Sequence, residues 1–327
     1  MAESEVTDLE ALEAAIRLAE HCQTLEATGK AVNEALDLDW SDAKWRGKWK
    51  HYPRETEMVR KQLGKARHRI EQTIRLTGNQ RGAVASDFHA PYHDYLAVLL
   101  LCKVLAWWQP DLFVIDGDGL DFYALSAYDK NPERAFGLQA EIDAFHTDVL
   151  APIVAALPAK GTRIFTPGNH EDRLRRFLWR HPDLYGVRSL QLPSLLELER
   201  FGFKYAEQSV YVDDVLEITH GEKVSKWSAY ASKAESEARR YSITTITGHV
   251  HKAGHFGTTV PGTQRQYVSG YSNPCMCRLN PEYMRNPDWV QGFTLFDVRD
   301  GNLAVEQVII NPNYTCMAGG KWFGVEG

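Results

Sequence analysis

Five short β-rich runs each end on a turn that carries metal-ligating side chains, and this order constrains the fold more than any other feature of the sequence. Ala83-Val84-Ala85 leads into Asp87-Phe88-His89, and Leu112 to Ile115 leads into Gly117-Asp118-Gly119-Leu120-Asp121. Ile164-Phe165-Thr166 precedes Gly168-Asn169-His170-Glu171, Val215 to Thr219 precedes His220-Gly221, and Ile243 to Thr247 precedes Gly248-His249-Val250-His251. Short apolar runs bounded by turn residues predict buried strands. Helical patterns fall between them, at about Tyr95–Trp108, Ala135–Leu157, Arg173–Trp179 and Val224–Tyr241. This alternation predicts an α/β layered domain with parallel strands in its centre. Phe293 to Val298 and Ala304 to Ile310 predict a closing hairpin around Asp300-Gly301. Side chains at the C-terminal ends of neighbouring parallel strands converge on one crevice. Carboxylates, an amide and imidazoles brought together there suit Mn, Fe or Zn.

Asp-x-His, Gly-Asp-x-x-Asp, Gly-Asn-His-Glu, a lone His and Gly-His-x-His, in this order, resemble the signature of the calcineurin-like metallophosphoesterases. The match runs from Asp87 to His251, about half the chain. The resemblance implies a four-layered α/β/β/α sandwich with a dinuclear metal site at the strand ends. It implies that Asp87, His89 and His251 hold one ion, that Asn169, His220 and His249 hold the other, and that Asp118 bridges them. His170 matches the position that protonates the leaving oxygen or holds the phosphoryl group, and Asp121 the acidic position that orients it. A carboxylate behind an imidazole fixes its tautomer and raises its pKa, as an acid near neutral pH requires.

The chemistry is coherent in itself. Two divalent ions about 3.5–4 Å apart share a hydroxide, lower its pKa and neutralise phosphate oxygens. The favoured metal is Mn²⁺, with Fe, Zn or Ni as alternatives. Arg173 and Arg176 lie one turn apart just after the third motif, where a cationic clamp on the substrate competes with a plain solvated helix face. Arg173 and Asn169 are the substrate-binding candidates. Asp121 has its own plain alternative as a helix N-cap. Tyr271, Asn273, Trp289 and Gln291 are candidates by position for lining the pocket, while nothing distinguishes His93 and His255, near the motifs, from surface residues or from residues that support the ligands from behind.

The 327 residues leave room for a second region, and the division is expected near Gly78-Asn79-Gln80, giving 1–78 and 79–327. Leu9, Leu12, Ala15, Ile16 and Ala19 repeat at helical spacing. A short helix follows over Gly29 to Leu36, then a third capped by Ser41, and a longer basic helix from Glu55 to Leu76. The net charge of −6 conceals an asymmetry, because Lys44 to Arg81 holds twelve Lys/Arg against three Asp/Glu. Lys44, Arg46, Lys48 and Lys50 therefore make the region a candidate helix-turn-helix for DNA or RNA. The alternative places Trp45 and Trp49 in a small core with the lysines merely solvating the other face.

The acidic N-terminus lacks the basic-then-apolar order of a signal peptide, and Tyr95–Trp108 is too short to cross a bilayer. Five cysteines form neither an even framework nor a zinc spacing, so free thiols and a cytoplasmic location are expected. Cys275 and Cys277 alone make no complete soft-metal site. The expected activity is metal-dependent phosphodiester hydrolysis, with nucleic acid as a candidate substrate. The alternatives are a phosphomonoesterase acting on phosphoprotein or nucleotide, and a non-catalytic nucleic-acid adaptor with a vestigial metal site. The oligomeric state is left open.

Overall fold

The structure is a computed structural model describing residues 7–18, 25–56, 58–59, 73–126, 131, 137–221, 243–259, 267–280 and 287–325. It divides into two compact units, Met1–Ile70 and Glu71–Gly327.

In the first unit, three helices, α1 (Asp8–Leu18), α2 (Leu25–Leu36) and α3 (Asp42–His51), enclose a small core. Ala11, Leu12, Ala15, Val32, Trp45, Trp49 and Val59 are buried together. The indole N–H of Trp45 donates to Asn33 Oδ1 at 2.9 Å, which satisfies its polar atom inside that core. Ser41 caps α3, accepting from the Lys44 N–H. Trp45 and Trp49 thus serve the core, as the plainer sequence reading holds. Lys48 is half-buried in an ion pair with Asp8. The helix expected from Glu55 to Leu76 falls mostly outside the described residues, and its end is corrected. Thr73–Leu76 is a strand, β1. Its alternating, β-branched sequence suits an edge strand, and it pairs in parallel with β6 (Ser209–Val212).

The second unit contains two six-stranded sheets. One runs in the order β12-β11-β2-β3-β4-β5, from β2 (Gln80–Ala85), β3 (Leu112–Asp116), β4 (Thr162–Thr166), β5 (Phe203–Tyr205), β11 (Gly292–Arg299) and β12 (Asn302–Ile309). β2 to β5 are parallel, and the β11–β12 hairpin is antiparallel. The other runs β1-β6-β7-β8-β10-β9, adding β7 (Leu216–Ile218), β8 (Thr244–Thr247), β9 (Gly254–Thr259) and β10 (Tyr267–Ser272). A small ribbon of β13 (Thr315–Ala318) and β14 (Lys321–Gly324) follows.

Side chains alternate across the first sheet. Val84, Leu112, Val114, Ile164, Phe296 and Val298 meet Ile74, Val210, Val212, Ile218 and Ile246 of the second sheet in one core. Ala83, Ala85, Phe113, Ile115, Phe165 and Leu295 face the other way. They pack under α4 (Tyr95–Trp108), α5 and α6 (Glu171–Arg180). α5 is continuous over Leu138–Ala144, a π-helical turn at Phe145–Leu150, and Ala151–Ala156. This doubly buried sheet explains why its strands read as unbroken apolar runs. The layering is the expected mixed α/β sandwich of two large sheets flanked by helices. The helix expected over Val224–Tyr241 lies outside the described residues.

Candidate metal centre

The turns after β2 and β3 run side by side and hold each other through backbone hydrogen bonds. Asp87 N–H donates to Gly117 O, His89 N–H to Asp118 O and Ala90 N–H to Gly119 O, at 3.1, 2.9 and 2.9 Å. Five prospective ligands stand at positive φ: Asp87 (56°), His89 (50°), Asp118 (50°), His249 (76°) and His251 (56°). Non-glycine residues avoid this region unless their surroundings over-determine it, and such strain gathers at functional sites. Gly117, at φ 73°, serves the same end, since a Cβ there would stand 2.4 Å from His220 Nδ1.

The side chains gather into two main groups, Asp87–His89–His251 and Asp118–His220–His249, with His89–Asp118–His170 between them. Asp118 is thus grouped with His220 and His249 of one half and with His89 of the other. His251 Nε2 lies 3.2 Å from Asp87 Oδ1 and 3.1 Å from His89 Nε2. His220 Nε2 lies 3.2 Å from Asp118 Oδ2. Ligands about 2.1 Å from one ion are about 3.0–3.4 Å from each other, so these separations match those expected between ligands of a common ion.

The hydrogen bonds point the same way. His220 Nδ1 donates to the Asp116 carbonyl at 2.6 Å, which leaves Nε2 with a lone pair. That atom is buried without a hydrogen-bond partner among the described residues and faces a carboxylate. His89 Nδ1 is turned to Asp121 Oδ1, so its Nε2 lone pair faces the Nε2 atom of His251. Burial and the neighbouring His170 hold His89 below the usual histidine range, which keeps it a neutral donor. A cation satisfies these facing lone pairs; a second hydrogen-bond acceptor does not. Without one, protons do the work. Burial pulls His251 and His220 down, but Asp87 raises His251 to about 9 and Asp118 raises His220 well above its normal value. Metal binding must displace those protons.

His170 and Asp121 stand against this cluster. His170 Nδ1 lies 2.8 Å from the Asp121 carbonyl and 3.1 Å from its carboxylate, so it carries a proton. Its Nε2 lies 4.0 Å from Asp118 Oδ2 and 3.1 Å from Arg173 Nη2. Burial lowers His170, but the Asp118 and Asp121 carboxylates outweigh it and the net shift is upward. Arg173 also donates from Nη1 to the Asp121 carbonyl at 2.7 Å, so its guanidinium points into the site. Arg176 pairs with Asp172 on the exposed face of α6, as the plainer reading holds. Asn169 is exposed on the turn between Gly168 and His170.

The sequence does not announce the supporting roles of Glu171, Asp116, Thr294 and Ser86, or the part that Asn273, named only as a pocket candidate, plays with them. Glu171, fully buried, accepts from Gly168 N at 2.7 Å, Asp118 N at 2.9 Å and Leu120 N at 3.2 Å, clamping two ligand turns together. Asp116 accepts from Thr166 Oγ1 and from Gly248 N, which ties the β3 end to the Gly-His-x-His turn. Burial pushes its carboxyl up to about 6. A buried relay runs from Thr294 Oγ1 to Asn273, from Asn273 to Ser86 Oγ, and from Ser86 to Asp87 Oδ2, each step 2.6–2.8 Å. Cys277 Sγ lies 3.8 Å from His251 Nδ1, with Cys275 in the same buried group. Trp289 sets its ring edge-on to His251 at 4.3 Å. Of the other pocket candidates, Gln291 bonds Asp94 and the Cys277 carbonyl, and Tyr271 stacks on His255.

No helix among the described residues is long and apolar enough to cross a membrane. Residues 81–253 match the model of the calcineurin-like phosphoesterase family. Gene 54 protein of Mycobacterium phage D29 is 26% identical over 259 residues, covering 76% of this chain and 98% of its own length. Its counterpart from Mycobacterium phage L5 is 25% identical over the same shares. Among solved structures, a Vps29 single mutant from Entamoeba histolytica aligns with a TM-score of 0.38 and 14% identity, over 72% of this chain and 97% of that one. With the family match spanning over half the sequence and the ligand turns assembled in space, this chain belongs to the calcineurin-like phosphoesterases, a family of metal-dependent phosphoester hydrolases.

Proposed function

We propose that the chain hydrolyses phosphodiesters, using Asp87, His89 and His251 to hold one divalent ion, Asn169, His220 and His249 to hold a second, and Asp118 to bridge them. Bound ions supply positive charge for the phosphoryl oxygens and acidify the attacking water. The observation that carries the reading is the His170–Asp121–Arg173 arrangement beside Asp118. Asp121 holds the Nδ1 proton of His170 and so aims Nε2 toward the reacting side. When water attacks phosphorus and the bond to the leaving oxygen breaks, protonated His170 delivers its Nε2 proton to that oxygen. Arg173 must release Nε2 for this and is then placed to hold a phosphoryl oxygen.

Charge balance favours a diester. Asp87, Asp116, Asp118, Asp121 and Glu171 are all buried around the cluster. Among the described residues Arg173 is the permanently cationic side chain brought to it, and both its outer nitrogens are engaged. Two divalent ions would offset most of this negative charge, leaving Arg173 as one further cation, which suits a monoanionic diester better than a dianionic monoester. Nucleic acid is the diester we favour, with Mn²⁺ as the metal.

The test compares alkyl p-nitrophenyl diesters with p-nitrophenyl phosphate on Mn²⁺-reconstituted enzyme. The diester is expected to be preferred. His170→Ala is expected to cost about 10²–10⁴-fold with an alkoxide leaving group and clearly less with p-nitrophenolate, which needs no acid. A monoester preference, or an equal loss for both leaving groups, contradicts the reading.

A further inference from the structure

The helical unit contains a glycine that its own packing does not explain. α3 buries Trp45 and Trp49, half-buries Lys48 against Asp8, and leaves Ala43, Lys44, Arg46, Gly47, Lys50 and His51 exposed. At about 100° per residue, Ala43, Gly47 and Lys50 fall opposite the two tryptophans, with Arg46 and His51 on either side. Among the described residues of this unit, two glycines sit inside helices. Gly29 of α2 has a clear reason, because a Cβ there would stand 2.9 Å from the Trp45 ring. Gly47 has none of this kind, because a Cβ would meet nothing within 4 Å. A glycine inside a helix costs about 1 kcal/mol relative to alanine. With no neighbour among the described residues to require it, the missing side chain suits close approach by something from outside.

The surroundings say what that is. Lys44, Arg46 and Lys50 ring the small-residue stripe, and Asp42 is the only acid on the exposed face of α3. α2 and α3 are joined by five residues, 37–41, with Asp37 at φ 49° making the turn. The pair is locked by the Gly29–Trp45 contact and by the Trp45–Asn33 hydrogen bond. A helix about 10–12 Å across fits a major groove about 12 Å wide, and its bare stripe lets the backbone come near the base edges. The family match begins at residue 81, outside this unit. The two phage proteins use 98% of their length on 76% of this chain, so about a quarter of it has no counterpart in them.

We infer that α2 and α3 form a helix-turn-helix that docks duplex DNA, with the Ala43–Gly47 stripe of α3 in the major groove and Arg46 and Lys50 at its phosphates. Lys48, held by Asp8, takes no part. The inference is independent of the catalytic reading.

The test is fluorescence anisotropy of the full-length chain, in chelator to prevent cleavage, with a labelled mixed-sequence duplex of about 24 base pairs. Single-stranded DNA and an RNA hairpin of equal length serve as comparisons. Duplex is expected to bind tightest, with affinity falling steeply as salt rises from about 50 to 200 mM. Arg46→Ala with Lys50→Ala is expected to weaken binding at least tenfold and to reduce the salt slope by about 2. Gly47→Leu is the sharper variant. It should raise the thermal midpoint of the unit, since leucine is the better helix former, yet weaken duplex binding at least tenfold. A merely structural role cannot yield a more stable protein that binds worse. Wild-type binding by Gly47→Leu, binding of single strands or RNA as tight as duplex, or no duplex binding at about 50 mM salt would each overturn the inference.

Discussion

Glu171→Gln tests whether one buried carboxylate holds two ligand turns in register. In the native protein Oε2 accepts from Gly168 N and Asp118 N, and Oε1 accepts from Leu120 N. Glutamine keeps one acceptor oxygen. In its better orientation that oxygen serves Gly168 and Asp118, while the new NH₂ faces the Leu120 N–H. One buried donor then lacks an acceptor, which costs about 1–3 kcal/mol. For a unit of this size each kcal/mol moves the thermal midpoint by about 2–4 °C, so a drop of several degrees is expected in chelator at about pH 5, below the value of about 7 to which burial and Asp118 push Glu171. The turns so loosened carry the proposed ligands Asp118 and Asn169, and removing a hydrogen-bond partner behind metal ligands commonly costs 10–100-fold in metal affinity. Urea unfolding in chelator reads the first effect, and calorimetric titration with Mn²⁺ reads the second. If the variant unfolds within about 0.5 kcal/mol of the native protein and binds Mn²⁺ as tightly, Glu171 does not organise the centre.

Gly168→Ala is a steric version of the same test, because a Cβ would stand 2.2 Å from Asp118 Oδ1. Loss of more than about 100-fold in hydrolysis with an unchanged circular dichroism spectrum is expected. Glu141 gives a pH signature away from the ligands. It is fully buried and accepts from the Ala124 N–H, and burial pushes it up to about 7. A folded-state pKa above the unfolded value means that its contribution is intact below about 4.5 and is lost as pH rises through about 7. Glu141→Gln should therefore gain on the native protein in urea unfolding between pH 5 and 8.5, by up to roughly 3 kcal/mol. A pH-independent difference between the two proteins would contradict that assignment.

The sequence made the centre legible because its ligands follow apolar strands, and a strand end is a local feature. The parallel core of β2, β3 and β4, the β11–β12 hairpin and α4 were visible for the same reason, since doubly buried strands and a helix of fourteen apolar-rich residues announce themselves. β1, β6, β9 and β10 were not. They are short or carry polar residues on one face, and Thr73–Leu76 continued a helical-looking basic stretch until pairing with β6 decided it. The supporting residues were hidden by distance along the chain. Asp116 serves an N–H 132 residues away, and Asn273 meets Ser86 across 187. Glu171 had the further disguise of an acidic residue in the first turn of a helix, where its type needs no other explanation.

The most direct test of the centre is the metal content of the full-length chain after Mn²⁺ loading and removal of free ion. Two ions per chain are predicted, falling to one in His251→Ala and to one in His220→Ala, since each removes a ligand from a different group. One ion per native chain, or two ions retained in both variants, would contradict the dinuclear assignment.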